Sequence, residues 1–192
     1  MVLATCLPVH SCTPLRTAIR TVMQAVWPAG LRRKSSAVMA RDCLPKNMLN
    51  ISKSVITPFT PAQMYALVSD IENYKNYLPW CPSSQVLKRE GNKITGRVDI
   101  SYLKVKAHFT TENINCENQR IDLSLVDGPF KHLKGHWLFT PLGATGCKIE
   151  FKLDYAFSNF IIQKVIGTVF EMVIKNIVDS FVKKAHEIYR KA

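Results

Sequence analysis

Histidine and cysteine carry the most versatile side-chain chemistry in this 192-residue chain, and their spacing determines whether they can act together. His132 and His136 are four residues apart in a segment that alternates between polar and apolar residues. In an extended strand they share one face but stand about 13 Å apart, at roughly 3.3 Å per residue, too far to bind one metal ion. The six cysteines form no CxxC pair. We therefore predict no metal site and no disulfide framework, and expect free thiols.

Motifs of the common catalytic sites do not occur in the sequence. There is no GxSxG, no HExxH, no phosphate-binding glycine loop and no dinucleotide-binding fingerprint. Cys81 is a possible nucleophile, but the sequence assigns it no partner histidine, and a packed thiol is the better interpretation. His108 falls on the polar phase of a strand and is interpreted as solvated. The chain is therefore predicted not to be an enzyme, with no catalytic residue and no cofactor.

The segment YKNYLPWCPSS, residues 74–84, combines aromatic side chains with Pro79 and Pro82. Two prolines so close together rule out a continuing helix and disfavour a central strand. Leu78 and Trp80 either plug one end of the core or form the rim of an opening, where an amphipathic indole suits a boundary between apolar and wet surroundings. A rim would also make peripheral contact with a membrane, aided by basic side chains.

The net charge of +12 is unevenly distributed along the chain. Residues 1–47 contain seven basic residues and one acidic residue, and the other 145 contain 19 basic and 13 acidic residues. The first segment is rich in arginine, poor in acids and without a sustained period, which is typical of a mitochondrial presequence. An upstream extension before a true start at Met48 is the alternative. We predict a disordered or targeting-like extension at 1–47 and one folded domain at 48–192, which contains no apolar run of 18 residues.

Period-two alternation dominates the middle of the chain. Residues 49–57 are predicted to form a strand, and Thr60 and Pro61 are predicted to start a helix, followed by a second short helix at about 72–77. About six strands follow, with polar and apolar positions alternating and with turn-like separators at 90–92, 117–119, 127–129 and 143–146. This alternation indicates an antiparallel sheet with one wet face and one buried face.

The chain ends in one long amphipathic helix, predicted over about 159–190. Its apolar stripe recurs at intervals of three and four residues: Phe170, Val173, Ile174, Ile177, Val178, Phe181, Ala185 and Ile188. A rod of roughly 48 Å must lie across a sheet, and only one apolar sheet face is available. The predicted fold class is therefore α+β, a curved antiparallel sheet wrapped around a long C-terminal helix. Periodicity does not tell whether that interface is solid or hollow.

This element order, with LPWC at 78–81 and DGPF followed by the FTPL segment at 127–142, resembles the START-like coenzyme-Q-binding family of the polyketide cyclase/SRPBCC superfamily. Within it, the chain is most similar to the bacterial branch of RatA ribosome association toxins. The resemblance covers about residues 49–190 and implies a helix-grip fold with a hydrophobic tunnel. The mitochondrial members share the Pro-Trp-Cys element.

The resemblance implies non-catalytic binding of ubiquinone, or a similar polyprenyl lipid, in support of respiratory electron transport. The alternative that it implies is a toxin that binds the large ribosomal subunit and blocks subunit joining. A START-like cyclase or hydrolase is least favoured, because the inward positions offer no acid or base. The expected location is the bacterial cytoplasm, peripheral at the inner membrane, or the mitochondrial matrix and inner membrane if 1–47 is a presequence. No DNA partner is expected.

Candidate ligand-binding residues come from the proline-containing segment 74–84, which we call the break, from the inward positions of the strands and from the centre of the terminal helix. They are Leu78, Trp80, Val98, Ile100, Phe109, Leu123, Leu125, Trp137, Phe139, Phe170, Val173, Ile174 and Ile177. Gly96 and Gly135 also fall on inward phases, where a glycine provides either sheet curvature or room for a ligand.

Overall fold

A computed structural model of the chain describes residues 47–190. The predicted extension at 1–47 lies outside the described residues except for Asn47, and its targeting role stays a prediction. The elements in chain order are β1 (Leu49–Thr57), α1 (Pro61–Ser69), a 3-10 turn (Ile71–Asn73), α2 (Tyr74–Tyr77), β2 (Ser84–Glu90), β3 (Lys93–Tyr102), β4 (Val105–Cys116), β5 (Arg120–Asp127), β6 (Phe130–Leu142), β7 (Gly146–Phe157) and α3 (Phe160–Tyr189).

All seven strands belong to one antiparallel sheet with the order β1-β7-β6-β5-β4-β3-β2. Register shifts interrupt three strand pairs: β2–β3 near Val86, β4–β5 near Thr110, and β6–β7 at the start of β6. Such bulges bend strands and increase twist, which lets the sheet curve around a helix. The six strands that follow the short helices confirm the predicted count, and the α+β prediction is confirmed.

The start of α1 follows the capping signals in the sequence. The Thr60 hydroxyl accepts a hydrogen bond from the Gln63 backbone N–H at 3.2 Å, and the Gln63 side chain accepts one from the Thr60 N–H at 2.9 Å. This reciprocal capping box satisfies two N–H groups that a helix start would otherwise leave unpaired. Pro61 takes the first helical position, where no donor is needed.

Four of the five hairpin turns lie at the predicted separators, whereas the β3–β4 turn at 103–104 was not predicted. Gly91, Asn118 and Gly143 have φ angles of 58°, 59° and 62°, a left-handed conformation that glycine and asparagine tolerate best. Gly135 has a different role, because a Cβ there would lie 2.3 Å from the Lys152 carbonyl oxygen. Of the two roles considered for Gly135, a requirement of the sheet backbone is therefore supported.

Helix α3 packs its apolar stripe onto the concave face of the sheet. Asn159 caps its start by accepting a hydrogen bond from the Ile162 N–H at 2.9 Å. The stripe is buried from Val169 to Ala185, as predicted. Ile188 is an exception, since it is exposed in the last turn of α3.

Candidate ligand cavity

A cavity of about 60 Å³ lies between the sheet and the middle of α3. It is lined by Ile71, Tyr74, Trp80, Gly96, Val98, Phe109, Thr111, Asn113, Leu123, Leu133, Phe151, Leu153, Phe170, Ile174 and Ile177. No aspartate, glutamate, histidine, lysine or arginine is among these residues. The wall can therefore bind apolar groups but offers no charged acid or base.

Seven of the thirteen candidate residues line this cavity: Trp80, Val98, Phe109, Leu123, Phe170, Ile174 and Ile177. The other six do not line it, and their contact with a ligand stays a prediction: Leu78, Ile100, Leu125, Trp137, Phe139 and Val173. Packing accounts for two of them. Trp137 stacks on Phe151 with ring centroids 4.3 Å apart, and Phe139 meets Tyr65 edge-on at 5.9 Å. This end of the interface is solid.

Several lining residues were missed by sequence reasoning. Leu133, Phe151 and Leu153 lie on inward phases that periodicity had already identified, but periodicity does not tell which inward positions border a hollow. Tyr74 comes from the break, and its OH donates to the Val68 carbonyl at 2.5 Å, while burial raises its pKa above the ordinary value. One feature of the sequence could have revealed the polar part of the lining. The inward-facing positions of β4 continue from Phe109 to Thr111 and Asn113, which are polar.

These polar residues sit on the β3–β4 wall of the cavity. Thr111 lies opposite Gly96, and Asn113 lies opposite Ile94. The Asn113 side-chain oxygen and the Trp80 indole N–H are buried without a hydrogen-bond partner in the described part of the chain. A short polar stretch thus interrupts the otherwise apolar wall of the cavity.

Two apolar side chains of the segment 74–84, Leu78 and Trp80, are buried in this structure. Leu78 is 1% exposed and Trp80 is 5% exposed, so neither forms an exposed rim. The Trp80 carbonyl accepts a hydrogen bond from the Ser101 N–H at 2.8 Å, which holds the segment beside β3. This burial agrees with the interpretation that Leu78 and Trp80 plug one end of the core. The other interpretation, in which Trp80 forms an exposed rim of an opening, is wrong.

An aromatic cluster closes the cavity toward the first turns of α3. Phe130 and Phe170 have ring centroids 4.7 Å apart, Tyr155 and Phe170 5.0 Å, and Phe130 and Phe157 5.1 Å. Phe109 meets both Phe130 and Phe170 at 6.3 Å. The two Phe109 contacts and the Tyr155–Phe170 contact are edge-to-face, an arrangement that stabilises packing beyond the area that it buries.

Beyond the aromatic cluster lies a surface that we call the apolar end. Strands β3, β5 and β7 run in the same direction within the sheet. Their C-terminal ends therefore lie at one end of the sheet, together with the β3–β4 turn, the β5–β6 turn and the start of α3. The Ser158 N–H donates to the Pro129 carbonyl at 3.0 Å, joining two of these segments. The exposed large apolar residues of this end are Tyr102, Leu103, Val126, Phe160, Ile161 and Val165.

Histidines and metal ligands add no further site in the described residues. Burial, and next the nearby Arg120, lower the pKa of the half-buried His136. His186 packs edge-on against Phe59 at 4.8 Å. No group of three histidine, cysteine or acidic side chains within residues 47–190 is arranged to hold a metal ion.

Within residues 47–190, no helix combines the length and apolar character needed to cross a bilayer.

Known proteins resemble this chain in sequence and in fold. The ribosome association toxin RatA of Escherichia coli K12 is 42% identical over 142 residues, which cover 74% of this chain and 90% of the toxin. The mitochondrial coenzyme Q-binding protein COQ10 homolog B of Xenopus laevis is 26% identical over 184 residues, covering 93% of this chain and 75% of that protein. A START superfamily protein of Mycobacterium smegmatis superposes with a TM-score of 0.60 at 19% identity, covering 72% of this chain and 98% of that one.

The likeness to the solved START protein shows the helix-grip fold expected from the resemblance. The family described as polyketide cyclase, dehydrase and lipid transport matches residues 57–182, which run from the end of β1 to the last third of α3. This match includes every residue that lines the cavity. The chain therefore belongs to the polyketide cyclase/dehydrase and lipid transport family, with the START-like helix-grip fold.

Proposed function

We propose that the domain binds a polyprenyl lipid such as ubiquinone without transforming it, in support of respiratory electron transport. The observation that carries this proposal is the cavity under α3, whose walls are mostly apolar and contain no charged side chain. Transfer of a prenyl chain from water into such surroundings is favourable by about 0.8 kcal/mol per buried methylene. The coenzyme Q-binding relative and the lipid transport description of the family support the same ligand class.

The present cavity is too small for a whole quinone. At about 60 Å³ it has the volume of about two water molecules, at roughly 30 Å³ each. Binding a ring and tail therefore requires α3 to move away from the sheet, or the aromatic cluster to separate. The tunnel implied by the resemblance is represented in this structure by a small cavity that ligand binding would enlarge.

Extraction of the purified protein tests the proposal directly. The protein would be produced in a quinone-making host, extracted with organic solvent and analysed by mass spectrometry, and stripped protein would be offered ubiquinone in detergent. We expect bound quinone near one molecule per chain in both arms. A protein that emerges empty and takes up no added quinone would overturn the proposal.

We propose that the apolar end is the part of this carrier that meets the membrane. Phe160 and Ile161 are 66% and 74% exposed, and Leu103 at the β3–β4 turn is 83% exposed. Lys164 lies over the Phe160 ring at 4.7 Å. Apolar side chains flanked by lysines fit an anionic bilayer, where the chains insert and the ammonium groups meet phosphates.

The surrounding charges favour a bilayer over a second copy of the chain. Lys104, Lys106 and Lys131 are exposed on the segments that form the apolar end, and Asp127, the acid of the β5–β6 turn, lies 3.8 Å from His108. Two copies meeting at this end would bring like charges together. The aromatic cluster lies directly beneath, so a lipid entering here would reach the cavity by separating phenylalanine rings.

Vesicle sedimentation tests the membrane contact. Wild-type protein is expected to bind vesicles that contain phosphatidylglycerol, and to bind less as salt rises. The double variant Phe160→Ser and Ile161→Ser should lose most of this binding. The matched control, Ile56→Ser with Leu87→Ser, replaces exposed apolar residues elsewhere and should bind normally. Equal loss in both variants, or none in either, would place the contact on another surface.

Association with the large ribosomal subunit is the second candidate function. Its support is the 42% identity to RatA over 90% of that toxin's length. Ribosome profiles on sucrose gradients would be compared before and after expression. Separate subunits should accumulate if this function holds, and an unchanged profile would count against it. The Phe160 and Ile161 double variant should leave such an effect intact, since RNA contacts depend on charge more than on apolar side chains.

A further inference from the structure

An open groove of about 350 Å³ lies between the break and the second half of α3, and we call it the basic groove. Lys75 lines it from the break, Lys183 and Lys184 line it from α3, and Glu187 is the acidic residue among the lining side chains. Three positive charges and one negative charge leave this groove with a net charge of +2. Lys184 pairs with Glu187 at 3.0 Å, whereas the exposed Lys75 and Lys183 form no ion pair within residues 47–190.

Packing beneath the basic groove holds its two walls together. Tyr74 of the break meets Phe181 of α3 edge-on, with ring centroids 5.3 Å apart. The Tyr77 hydroxyl donates to the Asp70 carboxylate at 2.9 Å, and the Lys184 ammonium group lies 5.7 Å from the centroid of the Tyr77 ring. The backbone of both walls is therefore positioned before any partner binds, which lowers the entropic cost of binding.

The row of unpaired cations continues beyond the basic groove. Arg190 follows Lys183 by seven residues, so it lies on the same face of α3 about two turns away, at roughly 10 Å along the axis. It is exposed and has no ion pair in the part of the chain that the structure describes. Three cations spread over such a distance suit a polymer with repeated negative charges better than one small anion.

The position of the basic groove separates it from the proposed membrane contact. Lys183 lies 23 residues after Phe160 on α3, roughly 35 Å along the helix axis. The potential of an anionic bilayer falls off within a Debye length, about 8 Å at physiological ionic strength. A bilayer that meets the apolar end would therefore not attract these cations. A second copy of a chain with a net charge of +12 would not complement them either.

We propose that the basic groove binds the phosphate backbone of RNA and is the surface through which the domain docks on the large ribosomal subunit. This inference rests on the second candidate function and specifies its contact surface. Lysine ammonium groups bind phosphates as point charges, and each contact releases a condensed counterion. Binding through this groove is thus independent of RNA sequence and weakens as salt concentration rises.

Salt titration of RNA binding tests the basic groove. The full chain would be titrated with fluorescein-labelled oligouridine, followed by fluorescence anisotropy, and with large ribosomal subunits, followed by cosedimentation. The double variant Lys75→Gln with Lys183→Gln should lower the slope of log K against log salt concentration by about 1.4, since each phosphate contact on a single strand contributes about 0.7. That change weakens oligouridine binding about 25-fold at 0.1 M salt, and binding to the subunits should weaken as well.

The matched control is Lys104→Gln with Lys106→Gln, which removes the same charge from exposed positions at the apolar end. The control should bind oligouridine and subunits as wild type does, and should bind phosphatidylglycerol vesicles more weakly. The variant of the basic groove should show the reverse pattern, with normal vesicle binding. Because residues 1–47 are the same in every protein, their charge does not affect these differences.

The outcomes separate the groove from the function on which it rests. Normal RNA affinity in the groove variant, or an equal loss in both double variants, would overturn the basic groove as an RNA site. Loss of vesicle binding in the groove variant, with RNA binding unchanged, would assign the groove to a membrane. Wild type that binds oligouridine through the groove but no large subunit would overturn the second candidate function alone, and wild type that binds neither would overturn both.

Discussion

At the scale of single residues, burial decides which side chains remain reactive. Cys81 donates to the Ser83 carbonyl at 3.3 Å, and Cys147 contacts the Lys148 carbonyl at 3.5 Å. Burial raises the pKa of the Cys81 thiol, and it raises the pKa of Cys147 to about 11. A thiol in apolar surroundings stays protonated and is a poor nucleophile. The sequence-based interpretation of Cys81 as a packed thiol agrees with this environment.

We therefore predict that Cys81 and Cys147 resist alkylation in the folded protein. Iodoacetamide at pH 7.5, followed by peptide mass mapping, should modify them only at the rate of unfolding, and rapidly in urea. Cys116, which is half-buried, is the internal comparison and should react sooner. Fast modification of Cys81 under native conditions would mean that the segment 74–84 opens readily.

Tyr155 should make the protein sensitive to alkali. Burial, and next the charge of Glu171, raise its pKa to about 12 in the folded state, above the ordinary value of 10.0. Its contribution to stability is therefore complete below pH 10 and is lost as the pH rises toward 12, at up to about 1.4 kcal/mol per pH unit. Urea unfolding at pH 9 and 11 would measure the loss. Tyr155→Phe should show a smaller loss, and an identical loss would assign the effect to other tyrosines.

At the scale of elements, capping residues set where the helices begin, and pairing with neighbouring strands sets how far β4 extends. α1 begins at a capping box, α3 begins at Asn159, and β4 runs to Cys116 through the inward residues Thr111 and Asn113. Helix boundaries follow from local hydrogen bonds and were predictable. The length of β4 depends on its pairing with β3 and β5, which continues to Asn115 and Cys116. That pairing carries polar residues into the cavity wall.

Replacement of the capping residue should weaken α1. Thr60→Ala removes the acceptor for the Gln63 N–H, and we expect the free energy of unfolding to fall by about 1 kcal/mol, as measured by urea denaturation. Thr168→Ala, at an exposed position inside α3, is the comparison and should be neutral or slightly stabilising. If both changes have the same effect, the capping box does not contribute.

The central face of α3 should control ligand uptake. Ile177 borders the cavity, whereas Asn176 beside it is exposed. Ile177→Lys places an ammonium group at an uncharged wall, so quinone uptake should be lost because the charge has no partner. Asn176→Lys adds the same charge on the solvent side and should leave uptake unchanged. Circular dichroism would confirm folding of both variants, and normal uptake by folded Ile177→Lys would remove Ile177 from the site.

At the scale of the whole molecule, the fold holds a small cavity, which enlarges only if α3 moves away from the sheet or the aromatic cluster separates. An ion pair between Lys53 of β1 and Asp179, with a hydrogen bond from Lys53 to the Lys175 carbonyl at 3.1 Å, ties the second half of α3 to the sheet. The aromatic cluster holds the first half. The apolar end lies outside that cluster, so separation of the rings near a membrane would admit a lipid from that side.

Ligand binding should stabilise the whole domain. A ligand that binds only the folded state adds about 2.7 kcal/mol at one hundred times its dissociation constant, which is a rise in Tm of roughly 5–10 °C for a domain of this size. Differential scanning calorimetry with decylubiquinone would measure the rise. Ile177→Lys should show none, and a rise of equal size in that variant would indicate binding away from the cavity.

The sequence alone determined the order of the elements, the antiparallel sheet, four of the five hairpin turns and the apolar stripe of α3. These follow from local rules, since alternation assigns a face to each residue and capping residues mark helix ends. Only the tertiary structure decided that Trp80 is buried, that Trp137 and Phe139 pack solidly, and that Thr111 and Asn113 reach a cavity of about 60 Å³. Periodicity gives direction but not volume, because the space left between two layers depends on how side chains distant in sequence fill it.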